Sequence, residues 1–529
     1  MLFTSYLFLG FLALVLILYY VLPKKTQWPL LLCASYLFYF AAGAHFLLYL
    51  LSTTVTIWGA AVLIDKNHQA QKTYIKEHKE EMDREAQKTY RAAQKKIRFR
   101  YFLAALLINL LVLAVVKYAN FFIDNFNGVL RAFGNAEGLS FVNIALPMGI
   151  SFYTFQTIGY LVDVYRGNTA AEKSIFRFAL FVSFFPQVVQ GPINRFGEMA
   201  PSLYAQKRFD GRQVSFGLQR ILWGYFKKLV IADRILVAVT AIFGDPANQG
   251  AYVFVGMIFY RLQLYADFSG GIDITIGIAE ALGITLRENF NRPYFSKSLP
   301  EYWRRWHMSM NAWFRDYIFY PLSTSPALVS LTKKVRARFG PGAGKRVPLY
   351  ISSFAAWAAT GIWHGASWNF VVWGLTNWLI LMLSEEFTPL YERFRRATHT
   401  EQSRAYDVFQ IVRTFLLIGC VNLFDCHATL GATFRSFASM FTSANYHVLT
   451  DGSLLELGLT GLDYGILAVA WLIVLTVSLV QRKGSVREQI EPLPYAVKYV
   501  LFFGLFLIVL LMGAYGVGYD ASQFIYNRF

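Results

Sequence analysis

An all-α protein threaded many times through a membrane is the fold class this sequence predicts, on three observations. Of 529 residues, 56% are hydrophobic and only 16% charged, with a mean hydropathy of +0.39. A soluble chain of this length has no single core able to hide so much apolar side chain. Many stretches approach the roughly 18–20 apolar residues that cross a bilayer. The basic residues behind the net charge of +18 cluster between those stretches. That is the pattern of loops retained on the cytoplasmic side, and it argues against nucleic acid as a partner. The 48 Phe and 32 Tyr need no cofactor to explain them; interfacial belts and lipid-facing rings use such residues.

In chain order, apolar runs lie near 3–22, 28–42, 45–64, 101–119, 143–163, 220–241, 251–268, 348–363, 368–384, 408–424, 460–480 and 498–517. The first has no basic residue before it and no small-residue cleavage site after it, so it reads as a retained span. Shorter pieces near 175–190 and 270–285 read as re-entrant, a form tolerated at membrane depth only inside protein. Residues 65–100 hold eleven Lys or Arg and six acids, mixed at helical spacing as in Lys76 and Glu80. They predict a solvated cytoplasmic helical insertion, a single helix or a hairpin. Basic connections at Lys24–Lys25, 195–228, 333–346, 393–404 and 481–498 share that side, whereas 242–250 and 443–459 lack Lys and Arg and are placed outside. The reading is one membrane domain over 1–529 with about 11–12 spans: a core at 140–385, C-terminal spans in 386–529, and an external tail at 518–529.

Several motifs carry no chemistry. RFGPGAGKR (338–346) has Phe339 where a phosphate-binding loop needs its first glycine, and Arg346 in place of the Ser or Thr. No G-x-S-x-G elbow is present. Cys33, Cys420 and Cys426 form no C-x-x-C pair and sit near no zinc-like histidine spacing, so no metal site is expected.

Two histidines stand out. His364 joins two apolar segments in GIWHGASWNFVVWGL (361–375). Intramembrane titratable groups usually face a cavity, and a neutral imidazole there can accept a hydroxyl proton. Interhelical hydrogen bonding is an equal alternative on position alone. His307 lies in SLPEYWRRWHMSMNAWFRDYIFYPL (298–322), where Trp303, Arg304, Arg305, Trp306 and Arg315 interleave. The pattern favours an amphipathic surface helix with arginines on lipid headgroups. The sharper alternative is the wall of an entrance in which arginines hold a phosphate-bearing donor.

Long motifs in order then add a resemblance: LPMGISFYTFQTIGYLVDVYRG (146–167), FFPQVVQGPINRF (184–196), YADFSGGIDITIGIA (265–279), ENFNRPYFSKSLPEYWRRWHMSMNAWFRDYIFYPL (288–322) and GIWHGASWNFVVWG (361–374). The chain resembles the membrane-bound O-acyltransferase family, in its bacterial branch typified by alginate O-acetylation. The resemblance implies a ring of tilted helices around a central tunnel, in a bacterial cytoplasmic membrane. It implies a cytosolic acyl thioester at one mouth, acetyl-CoA or a pantetheine on a carrier protein, with no bound cofactor. It puts the family's catalytic histidine on His364 and its second characteristic histidine on His307. Trp363, Ser367, Trp368 or backbone N–H groups are the candidates for contacting the reacting groups.

The tail ends SQFIYNRF. In some relatives a terminal tyrosine motif is thought to carry the acyl group, which would be Tyr526 here; an interfacial anchor is the equal alternative. The expected function is O-acetylation of an extracytoplasmic polysaccharide or cell-wall polymer, completed by an extracytoplasmic acetyltransferase partner. D-alanyl transfer to teichoic acid is a rival within the family. A transporter is a rival outside it, though such folds often show two related halves and none is visible here.

Overall fold

The computed structural model describes residues 2–134 and 138–515. They divide into two compact units. One comprises residues up to Val214 with Ile278–Arg287; the other comprises Ser215–Gly277 and the chain from Glu288 onward.

The first unit contains α1 (Tyr6–Val21), α2 (Gln27–Phe40), α3 (Phe46–Glu77), α4 (Arg84–Leu113), α5 (Ala119–Ala132), α6 (Ile150–Arg166), α7 (Ile175–Ser183) and α8 (Phe196–Leu203). Residues 65–100 are the distal ends of α3 and α4, a helical hairpin turned at His78–Asp83. Asp83 caps α4 by accepting the Ala86 N–H at 2.7 Å, satisfying one of the orphan donors of the first turn. Arg98 ties the two helices by donating to Asn67 and Gln71 at 2.9 and 2.7 Å. After α7 the backbone runs irregularly through 184–195 while remaining almost wholly buried. Side chains replace the missing helical bonds: Ser35 Oγ accepts the Phe185 N–H at 3.1 Å, and the Gln187 amide donates to the Phe181 carbonyl at 3.1 Å. Non-helical backbone away from water survives only with such partners.

The second unit begins within α9 (Gly211–Tyr225) and continues through α10 (Asp233–Gly244), α11 (Ala251–Ala281), α12 (Leu299–Arg305), α13 (Met308–Phe314), α14 (Tyr320–Ser323), α15 (Pro326–His364), α16 (Trp368–Glu386), α17 (Thr388–Ala397), α18 (Arg404–Cys426), α19 (Leu430–Thr442), α20 (Gly461–Val480), α21 (Val486–Ile490) and α22 (Tyr495–Met512). A π-helical stretch, Phe226–Ala232, joins α9 to α10. Its fully buried residues pack with Leu467, Ala470 and Val474 of α20.

Two sequence expectations change here. Residues 270–281 form no separate re-entrant piece; they complete α11, which runs unbroken for 31 residues. Gly270 lies so close to the Gly224 carbonyl that an added Cβ would sit 2.9 Å from it. The glycine therefore permits close helix packing instead of ending the helix. Residues 298–322 are not one surface helix either. The chain breaks at Trp306–His307 into α12 and α13, and Trp303, Trp306, His307 and Trp313 are buried.

Among the described residues, five helices are long and apolar enough to cross a membrane: Phe46–Glu77, Arg84–Ala132, Arg404–Cys426, Gly461–Lys483 and Tyr495–Met512. Of the other apolar runs, some form shorter helices, such as the 14-residue α2 and the 12-residue α10, while those at 251–268 and 368–384 lie in α11 and α16, of 31 and 19 residues.

Candidate active site

Trp306 and His307 meet the segment 289–291 in a short antiparallel pairing. Asn291 N–H donates to the Arg305 carbonyl at 2.9 Å and Met308 N–H to the Asn289 carbonyl at 3.0 Å. His307 takes φ +45°, ψ +52°, a left-handed conformation uncommon outside glycine. Asn311 steadies the break by donating its amide to the carbonyls of Trp303 and Trp306 at 2.6 and 2.7 Å.

The His307 ring is fully buried. Its Nδ1 lies 3.1 Å from Asn289 Oδ1, which also accepts the Ser309 backbone N–H at 3.0 Å and the Ser309 hydroxyl at 2.9 Å. The backbone donor settles which end of the Asn289 amide is oxygen. Nδ1 therefore carries the proton, and Nε2 is the basic nitrogen in the neutral ring. Replacing Asn289 with Leu is expected to cost about 1–3 kcal/mol, because it strands buried donors. It should lower transfer with little change in acceptor KM; the thermal midpoint in detergent and the kcat against KM split check this.

His364 is the last residue of α15, and Ser367 is the N-cap of α16. The two helices cross in backbone contact. A Cβ on Gly361 would lie 2.5 Å from the Phe370 carbonyl, and one on Gly374 2.5 Å from the Trp357 carbonyl. This crossing brings Trp373 and Phe370 against His364, with ring centroids 4.6 and 6.2 Å away.

The two histidines, 57 positions apart, share a neighbour. Trp363 is 5.9 Å from the His307 ring and 5.0 Å from the His364 ring, centroid to centroid. Phe268 of α11 stands edge-on to His307 at 4.8 Å and 88°. Trp303 packs on Trp357 and Trp373 at 4.9 and 5.7 Å.

Behind Trp306 lies a buried cation. Arg261 is fully enclosed, its guanidinium 4.6 Å from the Tyr294 ring, 5.1 Å from Tyr302 and 5.9 Å from Trp306. It donates to Tyr302 Oη at 3.0 Å and to Asn422 Oδ1 at 2.9 Å. A desolvated guanidinium on aromatic faces makes such a wall rigid.

The other sequence candidates fall differently. Trp363, Trp303 and Trp306 belong to the cluster. Trp368 is 53% exposed at the start of α16, and Trp373, which the sequence did not single out, packs against His364. Arg304 is exposed, Arg305 pairs with Glu301 at 2.6 Å, and Arg315 pairs with Asp316 at 2.9 Å. Tyr526 lies outside the described residues. Sequence reading missed Asn289, Ser309, Phe268, Trp373 and Arg261. A polar Asn289 just upstream of the W-R-R-W-H segment was the available signal.

Residues 171–427, which contain this cluster, match the sequence profile of the membrane-bound O-acyltransferase family. The chain is 31% identical over 476 residues to the probable alginate O-acetylase AlgI of Pseudomonas aeruginosa, covering 89% of this chain and 80% of that one. It belongs to the membrane-bound O-acyltransferase family. It is also similar to the peptidoglycan O-acetyltransferase of Helicobacter pylori, 31% identical over 323 residues covering 56% of this chain and 57% of that one. With the teichoic acid D-alanyltransferase of Bacillus subtilis it shares 25% identity over 260 residues, 48% of this chain and 62% of that one. Membership makes this chain a multi-pass membrane acyltransferase, and the histidine cluster falls inside the matched region.

Proposed function

We propose that this O-acyltransferase moves an acetyl group from a cytosolic thioester toward an extracytoplasmic polysaccharide or cell-wall polymer, with His364 as the base. The observation that carries the reading is the convergence of His307 and His364 on Trp363 within the family-matched region. The O-acetylase and O-acetyltransferase relatives favour acetyl as the group moved.

A thioester carbonyl is already activated, so no covalent nucleophile on the enzyme is required. The His364 imidazole takes the acceptor hydroxyl proton as its oxygen attacks the carbonyl. The tetrahedral intermediate collapses, the C–S bond breaks, and the imidazolium returns the proton to the leaving thiolate. Base catalysis contributes about 10²–10⁴-fold, and alignment of two reactants up to about 7–11 kcal/mol. His307, oriented through Asn289, buttresses Trp363. The donor is acetyl-CoA or a pantetheine thioester on a carrier protein, used at the inner face of a bacterial cytoplasmic membrane. An extracytoplasmic acetyltransferase completes delivery to sugar.

Purified protein in detergent should transfer or hydrolyse acetyl from acetyl-CoA. A transporter would show activity only across a closed membrane, so silence in detergent with activity in vesicles would reject the reading. The teichoic acid D-alanyltransferase relative keeps alanyl as a second reading, which the mass of the transferred ester separates from acetyl. Tyr526 is proposed as an acyl carrier on the outer side. Tyr526→Phe is expected to abolish any ester on the tail and to lower polymer acetylation; full acetylation by that variant would exclude the carrier role.

A further inference from the structure

In the second unit a cavity of about 640 Å³ opens between α20 and α22, within the range of about 300–1,000 Å³ usual for ligand sites. Its two ends differ in chemistry. Along its length it is apolar: Ile473 and Val477 of α20 face Val500, Leu501, Gly504, Leu505 and Ile508 of α22. These positions recur at three- and four-residue spacing, so each helix contributes one continuous face. At one end stand Arg220, Asp273, Glu288, Gln481, Ser485 and Arg487.

That end is built, not incidental. Arg220 donates to Asp273 at 3.0 Å and grips both oxygens of Glu288 at 2.6 Å. Lys227 holds the second Asp273 oxygen at 2.6 Å. Arg487 donates to the Phe216 carbonyl at 2.6 Å. Among the lining residues Arg220 engages both carboxylates, Asp273 and Glu288, and Arg487 is the second guanidinium at this end.

The dimensions are those of one leaflet. From Gln481 back to Ile473 the slot follows α20 for about 12 Å at 1.5 Å per residue, somewhat under half of a hydrocarbon core about 30 Å thick. The charged end coincides with the C-terminus of α20 and the start of α22, both in candidate spans. It therefore stands at headgroup level while the apolar part reaches into the acyl-chain region. The interior is open as well: a Cβ added to Gly504 would meet nothing within 4 Å.

We propose that this slot binds one glycerophospholipid of the surrounding bilayer, an acyl chain between α20 and α22 and the phosphate at Arg487. The chain excludes water from facing apolar surfaces, and the phosphate takes charge-assisted hydrogen bonds from a guanidinium. None of the lining residues belongs to the histidine cluster, so the site is independent of the acyl-transfer reading.

The test is native mass spectrometry of the full chain purified in mild detergent, then delipidated and re-supplied with phosphatidylglycerol. Wild type and Gly504→Ala should retain and rebind a phospholipid. Gly504→Trp, which fills the slot, should lose it, and Arg487→Gln should rebind it about tenfold more weakly. Ile508→Trp plugs the other end should Gly504→Trp prove unstable. Equal retention by wild type and both plugged variants would overturn the proposal, as would rebinding of diacylglycerol as strong as that of phosphatidylglycerol. Displacement of the phospholipid by acetyl-CoA would assign the slot to the donor and overturn it too.

Discussion

His364→Ala is expected to lower polymer-bound acetate by about 10²–10⁴-fold, the usual contribution of a positioned base. Protein abundance in the membrane should stay near wild type, because His364 is only half-buried at a helix end. The residual activity should be independent of pH through the imidazole range, since the remaining acceleration is alignment of the two substrates. His364→Gln keeps a polar side chain of similar size between Trp363 and Trp373 but has no basic nitrogen, so it should fail as alanine does. Acetate release from purified polymer, normalised to immunoblot signal, checks both variants. Unchanged acetate in either would remove His364 from the chemistry and return it to packing between α15 and α16.

Lys228→Met is expected to be strongly destabilising. Lys228 is fully buried, its ammonium 2.6 Å from Asp267 and 2.7 Å from Asp233, both nearly inaccessible. Removing the cation leaves two carboxylates enclosed near each other, a loss of about 3–5 kcal/mol for a broken buried pair. The damage should also reach the site. Asp267 immediately precedes Phe268, whose ring stands edge-on to His307. A displaced α11 therefore moves a wall of the cluster. The prediction is a lowered thermal midpoint in detergent, reduced abundance and reduced transfer. Adding Asp267→Asn to Lys228→Met should recover part of the midpoint by removing one stranded charge. An unchanged midpoint in the single variant would mean that water reaches the triad.

How much was legible beforehand depended on what kind of fact each element was. The α3–α4 hairpin is local: alternating charges at helical spacing and a capping aspartate lie within thirty-six residues, 65–100. The irregular stretch 184–195 was visible only in part, within an apolar piece at 175–190 too short to span, whose first half is the helix α7. The extension of α11 through Gly270 was not, because a glycine in isolation signals a weak helix, and only the carbonyl of Gly224 beside it explains its use. The stretch 298–322 misled for a related reason. Its aromatic and basic residues have the spacing of a surface helix, yet the partner that buries Trp306 and His307 is the segment 289–291, recognisable only once the chain has turned back.

The amino-acid order alone determined that this chain is helical, crosses a membrane repeatedly and carries the family motifs with His307 and His364, because hydropathy, charge and motif identity are written in adjacent residues. Tertiary structure alone decided that both histidines meet Trp363, that Asn289 sets the tautomer of His307, and that Lys228 lies between two carboxylates. Those facts depend on distances between residues far apart in the chain, and only packed helices set them.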